Sequence, residues 1–243
     1  MIIQMQKLLE ILVALLYPRR CPICHQIVAE KGQKICEKCR KYAPPITEPR
    51  CKKCSKRLEA AEKEYCYDCE NNHHVYTRGL SLFAYESKLK QSLYQIKFHN
   101  KREYLDFYAE EVVRVLGETI LAWEAEALIP IPLHRRKYQK RGFNQADILA
   151  KKLGVLLGIP VLSDYVIRQK KTEPQKELSL KERKKNLKKA FKIKADDVKL
   201  KRIILIDDIY TTGSTLDAVA AILREQGVQT IYFITLCIGK GDC

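Results

Sequence analysis

Eight of the ten cysteines in this 243-residue chain fall in four Cys-x-x-Cys pairs confined to residues 21–69. Cys21/Cys24 and Cys36/Cys39 recur as Cys51/Cys54 and Cys66/Cys69, each thirty residues after its counterpart, so the stretch is an internal duplication. Short pairs crowded in this way read as metal ligation rather than as a secreted disulfide framework. Two thiolate pairs make a four-sulfur tetrahedron of the kind that holds structural Zn²⁺, with no coordination position left for a substrate. Which pairs share an ion stays open here. Consecutive pairing follows the repeat, and a cross-braced arrangement uses the same spacing. Cys21-Pro22-Ile23-Cys24-His25 also matches a c-type haem attachment string, but haem leaves the other three pairs unexplained. The even knuckle spacing favours zinc over an iron–sulfur cluster. His73 and His74, just past the last knuckle, read as linker residues, and Cys237 reads as core, whereas Cys243 carries no reading.

A formal charge of +16 attracts polyanions through the summed field, which puts phosphates, nucleotides and nucleic acid first among partners. The N-terminal run Ile-Ile-Gln-Met-Gln-Lys-Leu-Leu-Glu-Ile-Leu-Val-Ala-Leu-Leu-Tyr is interrupted by Lys7 and Glu10 and has no export-signal pattern. It is too short to span a membrane, so a cytoplasmic protein is expected. Leu8, Leu9, Leu12, Leu15 and Leu16 recur at helical spacing, which predicts an amphipathic helix. Packing on its own protein is preferred to a membrane surface because the polar face is not lysine-rich.

After a linker near residues 70–77 the texture changes to alternating strand and helix signals. The expected division is residues 1–75, helix plus ribbon, and residues 76–243, an α/β domain. Strands are predicted at Gly79–Tyr85, Ala127–Pro132, Arg202–Asp207 and Thr230–Ile238. Helices are predicted at 87–98, 103–121, about 142–157 and 214–226. Arg168–Lys189 is polar and basic without a buried face and is long enough for a lid.

Residues 203–215, Ile-Ile-Leu-Ile-Asp-Asp-Ile-Tyr-Thr-Thr-Gly-Ser-Thr, run from a buried strand through two acids and a Thr/Gly/Ser loop into a helix. Open parallel sheets bind ligands at this carboxyl edge, and the loop amides with the positive end of the helix suit a phosphate. The string is similar, position by position, to the phosphoribosyl pyrophosphate (PRPP) motif of type I phosphoribosyltransferases. The resemblance implies an α/β fold, a parallel sheet flanked by helices, with a small zinc-ribbon domain before it. By it Asp207 and Asp208 meet the ribose hydroxyls and act as the catalytic carboxylates. Thr211, Thr212, Gly213, Ser214 and Thr215 wrap the 5-phosphate, and Mg²⁺ accompanies PRPP. Hypoxanthine-guanine enzymes carry a third carboxylate where Thr211 stands, so the likeness does not extend to 6-oxopurine transfer.

Ile129–Ala150, the spaced residues Arg168, Thr172, Gln175, Leu178, Arg183, Asn186 and Phe191, and the cysteine-rich N-terminus together resemble the ComF family of competence proteins. That likeness implies that Pro132, Leu133, His134, Arg135 and Arg136 face the pyrophosphate. Arg141–Gln145 would line the same cleft, and Arg168–Phe191 would form its hood. It also implies a role in taking up single-stranded DNA during natural transformation, beside a helicase-like competence partner. A salvage-type phosphoribosyltransferase acting on a nitrogenous base is the alternative expectation. A PRPP-gated transcription regulator has no helix-turn-helix signal behind it.

Overall fold

The computed structural model describes residues 17–30, 32–169, 188–194 and 199–239. The expected N-terminal helix, apart from Tyr17, lies outside them, as do most of the expected lid and Cys243. Four strands, β1 (Arg78–Ala84), β2 (Ala127–Pro130), β5 (Arg202–Tyr210) and β6 (Thr230–Ile238), form one sheet in the order β1-β6-β5-β2. Every pairing in it is parallel. Long apolar runs such as Ile203–Ile206 suit strands covered on both faces. The covering helices are α2 (Ser87–His99), α3 (Tyr104–Leu121), α5 (Gln145–Leu157) and α6 (Ser214–Glu225); α4 (Arg135–Arg141) is a short exposed helix after β2, and α1 (Tyr67–Asn71) belongs to the ribbon. A separate antiparallel pair is formed by β3 (Val166–Arg168) with β4 (Phe191–Ile193), the strands on either side of the expected lid.

Besides end shifts of one or two residues, such as the strand expected over Ala127–Pro132 that stops at Pro130, three features differ from the sequence reading. The helix expected from about residue 142 begins at Gln145, because Asn144 is extended and its side chain caps the Ala146 amide. Arg135–Arg141 is a helix that the sequence reading does not place; its seven residues bury no side chain, so no apolar periodicity announces it. The strand through Ile203 continues past the acids to Tyr210, which places Asp207 and Asp208 within the ladder.

The ribbon is duplicated in space as well as in sequence. Arg20 bridges Ile27 as Arg50 bridges Arg57, and His25 and Ser55, each one residue past a knuckle, share a left-handed backbone with φ of 63° and 68°. The halves grip the edge strand of the sheet: Ile46 N donates to Leu82 O at 2.9 Å and Gly79 N donates to Lys53 O at 2.8 Å. Cys21, Ile23, Ile35 and Cys39 join the core on the α3–α5 face, while Cys51, Cys54, Leu58 and Cys66 join the core on the α6 face. The ribbon therefore covers an otherwise open edge strand and contributes apolar surface to both sides of it.

Asp106 on α3 ties the first ribbon half to this frame, pairing with Arg19 at 2.8 Å and with Lys152 of α5. Burial pushes its carboxyl up, but the Lys152 and Arg19 hydrogen bonds and charges outweigh that and hold it below its ordinary value. A depressed carboxyl adds stability above the unfolded-state value of about 3.9 and loses it as pH falls through the folded value. With the pair worth about 1 kcal/mol, Asp106→Asn is expected to melt about 2–4 °C below the native chain at neutral pH. Melting both chains between pH 7 and pH 3 should show that gap closing below about pH 3.9; a gap independent of pH would show that packing, not charge, is what the aspartate supplies.

Candidate phosphate cleft and metal centres

The eight thiols group consecutively, Cys21/Cys24/Cys36/Cys39 and Cys51/Cys54/Cys66/Cys69, with all sulfur atoms of a group within 4.8 Å of one another. This settles the pairing left open by the spacing and excludes the cross-braced form. Cys24 and Cys36 sulfurs lie 3.8 Å apart and Cys54 and Cys66 sulfurs 3.6 Å. A tetrahedron with Zn–S near 2.3 Å has edges of about 3.8 Å, so the donor set fits Zn²⁺. Burial, with neighbouring thiols adding to it, pushes Cys36 up to about 11 and Cys39 to about 12, so a bound cation is what makes four thiolates at this spacing tolerable. His25 Nδ1 lies 3.0 Å from the Tyr104 hydroxyl, and Cys21 and Cys24 are gathered with Cys36 and Cys39 into one four-sulfur group, an arrangement the haem reading does not explain.

Successive strand residues face opposite ways, and the two acids follow this rule. Asp208 looks toward α2 and α5, where it pairs with Lys97 and accepts from Gln145 Nε2 at 3.3 Å. Gln145 is held in turn by Arg141, whose Nη1 donates to its Oε1 at 3.0 Å. Asp207 Oδ1 accepts from the Asp208 amide at 2.8 Å, and its charge acts on the Arg168 guanidinium of β3. Burial, and after it the charge of Asp208, pushes Asp207 well above the usual carboxylate range. Burial acts the same way on Asp208, but Lys97 and the hydrogen bonds it receives outweigh this and lower it. The pair thus holds one firmly ionised carboxylate and one that a cation or a polar ligand would relieve.

Beyond the acids, Gly213 takes φ of 73°, and a Cβ there would sit 2.7 Å from the Tyr210 hydroxyl, so both conformation and space demand glycine. Among the described residues no acceptor meets the backbone N–H groups of Thr211 to Thr215, and α6 begins at Ser214 with its positive end at this loop. Thr212 and Ser214 hydroxyls lie 2.8 Å apart. Across the cleft His134 caps α4 by accepting from Arg136 N at 3.2 Å. Burial and then the charges of Arg168, Arg136 and Lys137 lower its imidazole, which places these cations around it. Pro132 and Leu133 lead into that cap, Arg135 and Arg136 are exposed on α4, and Arg141 closes the helix.

Two residues of this site were not anticipated. Lys97 had no signal beyond an amphipathic helix, and only the fold carries it to Asp208. His74, read as linker, has its side chain tucked in: its Nδ1 lies 2.8 Å from Asp217 Oδ2 in the first turn of α6, and Val75 N donates to Asp217 Oδ1 at 2.8 Å. His74 stacks on Tyr76, whose hydroxyl lies 2.7 Å from that of Tyr210 beneath Gly213. The Thr211–Thr215 loop is thereby fastened to the segment leaving the second ribbon half.

Residues 12–70 match the double zinc ribbon domain and residues 139–243 the phosphoribosyl transferase domain. The DNA utilization protein YhgH of Salmonella typhimurium is 30% identical over 228 residues, covering 90% of this chain and 97% of that protein. The chain belongs to the ComF family. Two further relatives of this ComF-family chain are Competence protein F of Haemophilus influenzae and Competence protein ComFC of Bacillus subtilis. The first is 44% identical over 108 residues, 44% of this chain and 47% of that protein; the second is 27% identical over 204 residues, 80% of each. No described helix of the ComF-family chain is long and apolar enough to cross a membrane.

Proposed function

We propose that this chain binds PRPP with Mg²⁺ at the carboxyl end of β5 and assists single-stranded DNA uptake in natural transformation. One observation supports the cleft above all: a parallel strand delivers Asp207 and Asp208 to a glycine-bent loop whose amides meet no acceptor among the described residues at the start of a helix. In this reading the loop residues Thr211–Thr215 take the 5-phosphate and the two aspartates take the ribose hydroxyls. Pro132–Arg136, Arg141 and Arg168 surround the pyrophosphate. Mg²⁺, bound through the pyrophosphate and reached by the acids through water, would neutralise charge on the departing group. Charge gathers on the pyrophosphate as its bond to C1 breaks, and fixed guanidinium groups stabilise it without reorganising.

The names of the relatives, competence and DNA utilization, favour a DNA role, and the +16 charge supplies the field for it. The protein would work in the cytoplasm beside a helicase-like competence partner. Titrating a single strand at rising salt is expected to show log affinity falling linearly with log salt, by about 0.7 per neutralised phosphate. Affinity indifferent to salt would remove the polyanion reading. Calorimetry should show PRPP binding only with Mg²⁺ present, and an empty titration in that experiment removes the cleft.

A second reading, a salvage-type transferase, is favoured by the same string of residues. It requires Mg²⁺-dependent pyrophosphate release with at least one member of a panel of nitrogenous bases. Among the described residues at the site none declares itself the general base for such an acceptor.

A further inference from the structure

Helix α2 carries Lys88, Lys90 and Lys97 and no acid, and the α4 sequence, Arg-Arg-Lys-Tyr-Gln-Lys-Arg, contains no acid either. Both helices leave aromatic rings in solvent: Tyr94 is 53% exposed, Phe98 48% and, on α4, Tyr138 51%. Tyr94 and Phe98 are one turn apart on the same face of α2, with ring centroids 4.7 Å apart. The Arg141 guanidinium lies 5.1 Å over the Phe98 ring. One exposed ring is ordinary on a protein surface. Two adjoining rings capped by a guanidinium between acid-free helices form a patch with defined chemistry. That patch adjoins the cleft by two routes. Lys97, next to Phe98, pairs with Asp208, and Arg141 reaches Asp208 through Gln145.

We propose that Tyr94 and Phe98 are a stacking platform for the bases of an unpaired nucleic-acid strand, whose phosphates follow the cations of α2 and α4 past the mouth of the Asp207–Asp208 cleft. This rests on the strand-handling reading above and adds where the strand lies. Flat rings are satisfied by flat rings and a row of cations by an anionic backbone; a single strand offers both together. An acidic peptide matches the cations and leaves the rings in water. An apolar protein surface covers the rings and leaves the cations facing no counter-charge. A duplex keeps its base faces stacked on one another.

Fluorescence anisotropy of the full chain with a labelled oligothymidine, and with an abasic strand of equal length, isolates the rings from the phosphates. The native chain is expected to prefer the base-bearing strand by about tenfold or more. Tyr94→Ala with Phe98→Ala should erase that preference while leaving the abasic affinity unchanged, and Tyr94→Trp with Phe98→Trp should keep it. A preference that survives the alanine pair overturns the platform and leaves strand handling standing. Displacement of the labelled strand by polyglutamate as readily as by unlabelled strand also overturns it. A native chain that binds neither strand overturns the platform and the strand-handling reading together.

Discussion

Stripping zinc from the full chain is expected to melt the sheet as well as the ribbon. Metal binding at a structural site is folding free energy, of about 10–16 kcal/mol in apparent terms, which rivals the whole stability of a typical domain. In an isolated ribbon that loss stays local. Here Cys21 and Cys39 are buried with Tyr104, Leu105 and Phe83, and Cys51, Cys54 and Cys66 with Tyr76, Tyr210 and Leu216, on opposite faces of one sheet. Losing four thiolate bonds at either site turns a filled corner of the core into repelling or protonated sulfur. A chelator followed by far- and near-UV circular dichroism should show one cooperative loss of both signals, with a chromophoric chelator counting two ions released. The two sites are also expected to differ. Cys54→Ser removes the support beneath Tyr76 and Tyr210 and should weaken PRPP binding by more than Cys24→Ser, whose site lies on the other face. A chelated chain that keeps its melting point and near-UV spectrum would show that sulfur packing alone holds these corners.

What was legible in the chain divides by the range over which its cause acts. Thiolate pairs two residues apart and copied thirty residues later declare a metal ribbon because ligation needs close spacing. Their partnership was not legible, since both pairings satisfy the same spacing. The strand–loop–helix of residues 203–215 was legible for the same local reason: glycine and hydroxyl residues are what such a loop requires. Its supports were not. Lys97 reaches Asp208, and His74 reaches Asp217, across the fold, where tertiary packing alone makes them neighbours. Helix α4 was hidden because it buries no side chain, so the periodicity that betrays a helix never appears. Extension of β5 to Tyr210 was missed because acids in a strand look like its end. Asp208 is tolerated inside only because Lys97 and Gln145 meet it there.

Exchange of the strand acids should separate binding from stability, because the two carry different burdens. Asp207 is held well above its ordinary value by burial and by the charge beside it, so Asp207→Asn removes a repulsion and is expected to leave melting unchanged or slightly higher. Yet it deletes a charged acceptor for a hydroxyl or a metal-bound water, worth about 1.5–3 kcal/mol, so PRPP affinity should fall at least about tenfold. Asp208→Asn costs both. It strands Lys97, whose side chain is only 17% exposed, and with about 2 kcal/mol lost the melting point should drop by about 4–8 °C. Adding Lys97→Met to Asp208→Asn removes the orphaned charge and should recover most of that drop without recovering PRPP. The double exchange Asp207→Asn, Asp208→Asn is expected to weaken PRPP by about a hundredfold or more in calorimetry with Mg²⁺. If Asp207→Asn binds PRPP as the native chain does, the acid side of the cleft is structural, and the ligand must be held by the loop and the α4 cations alone.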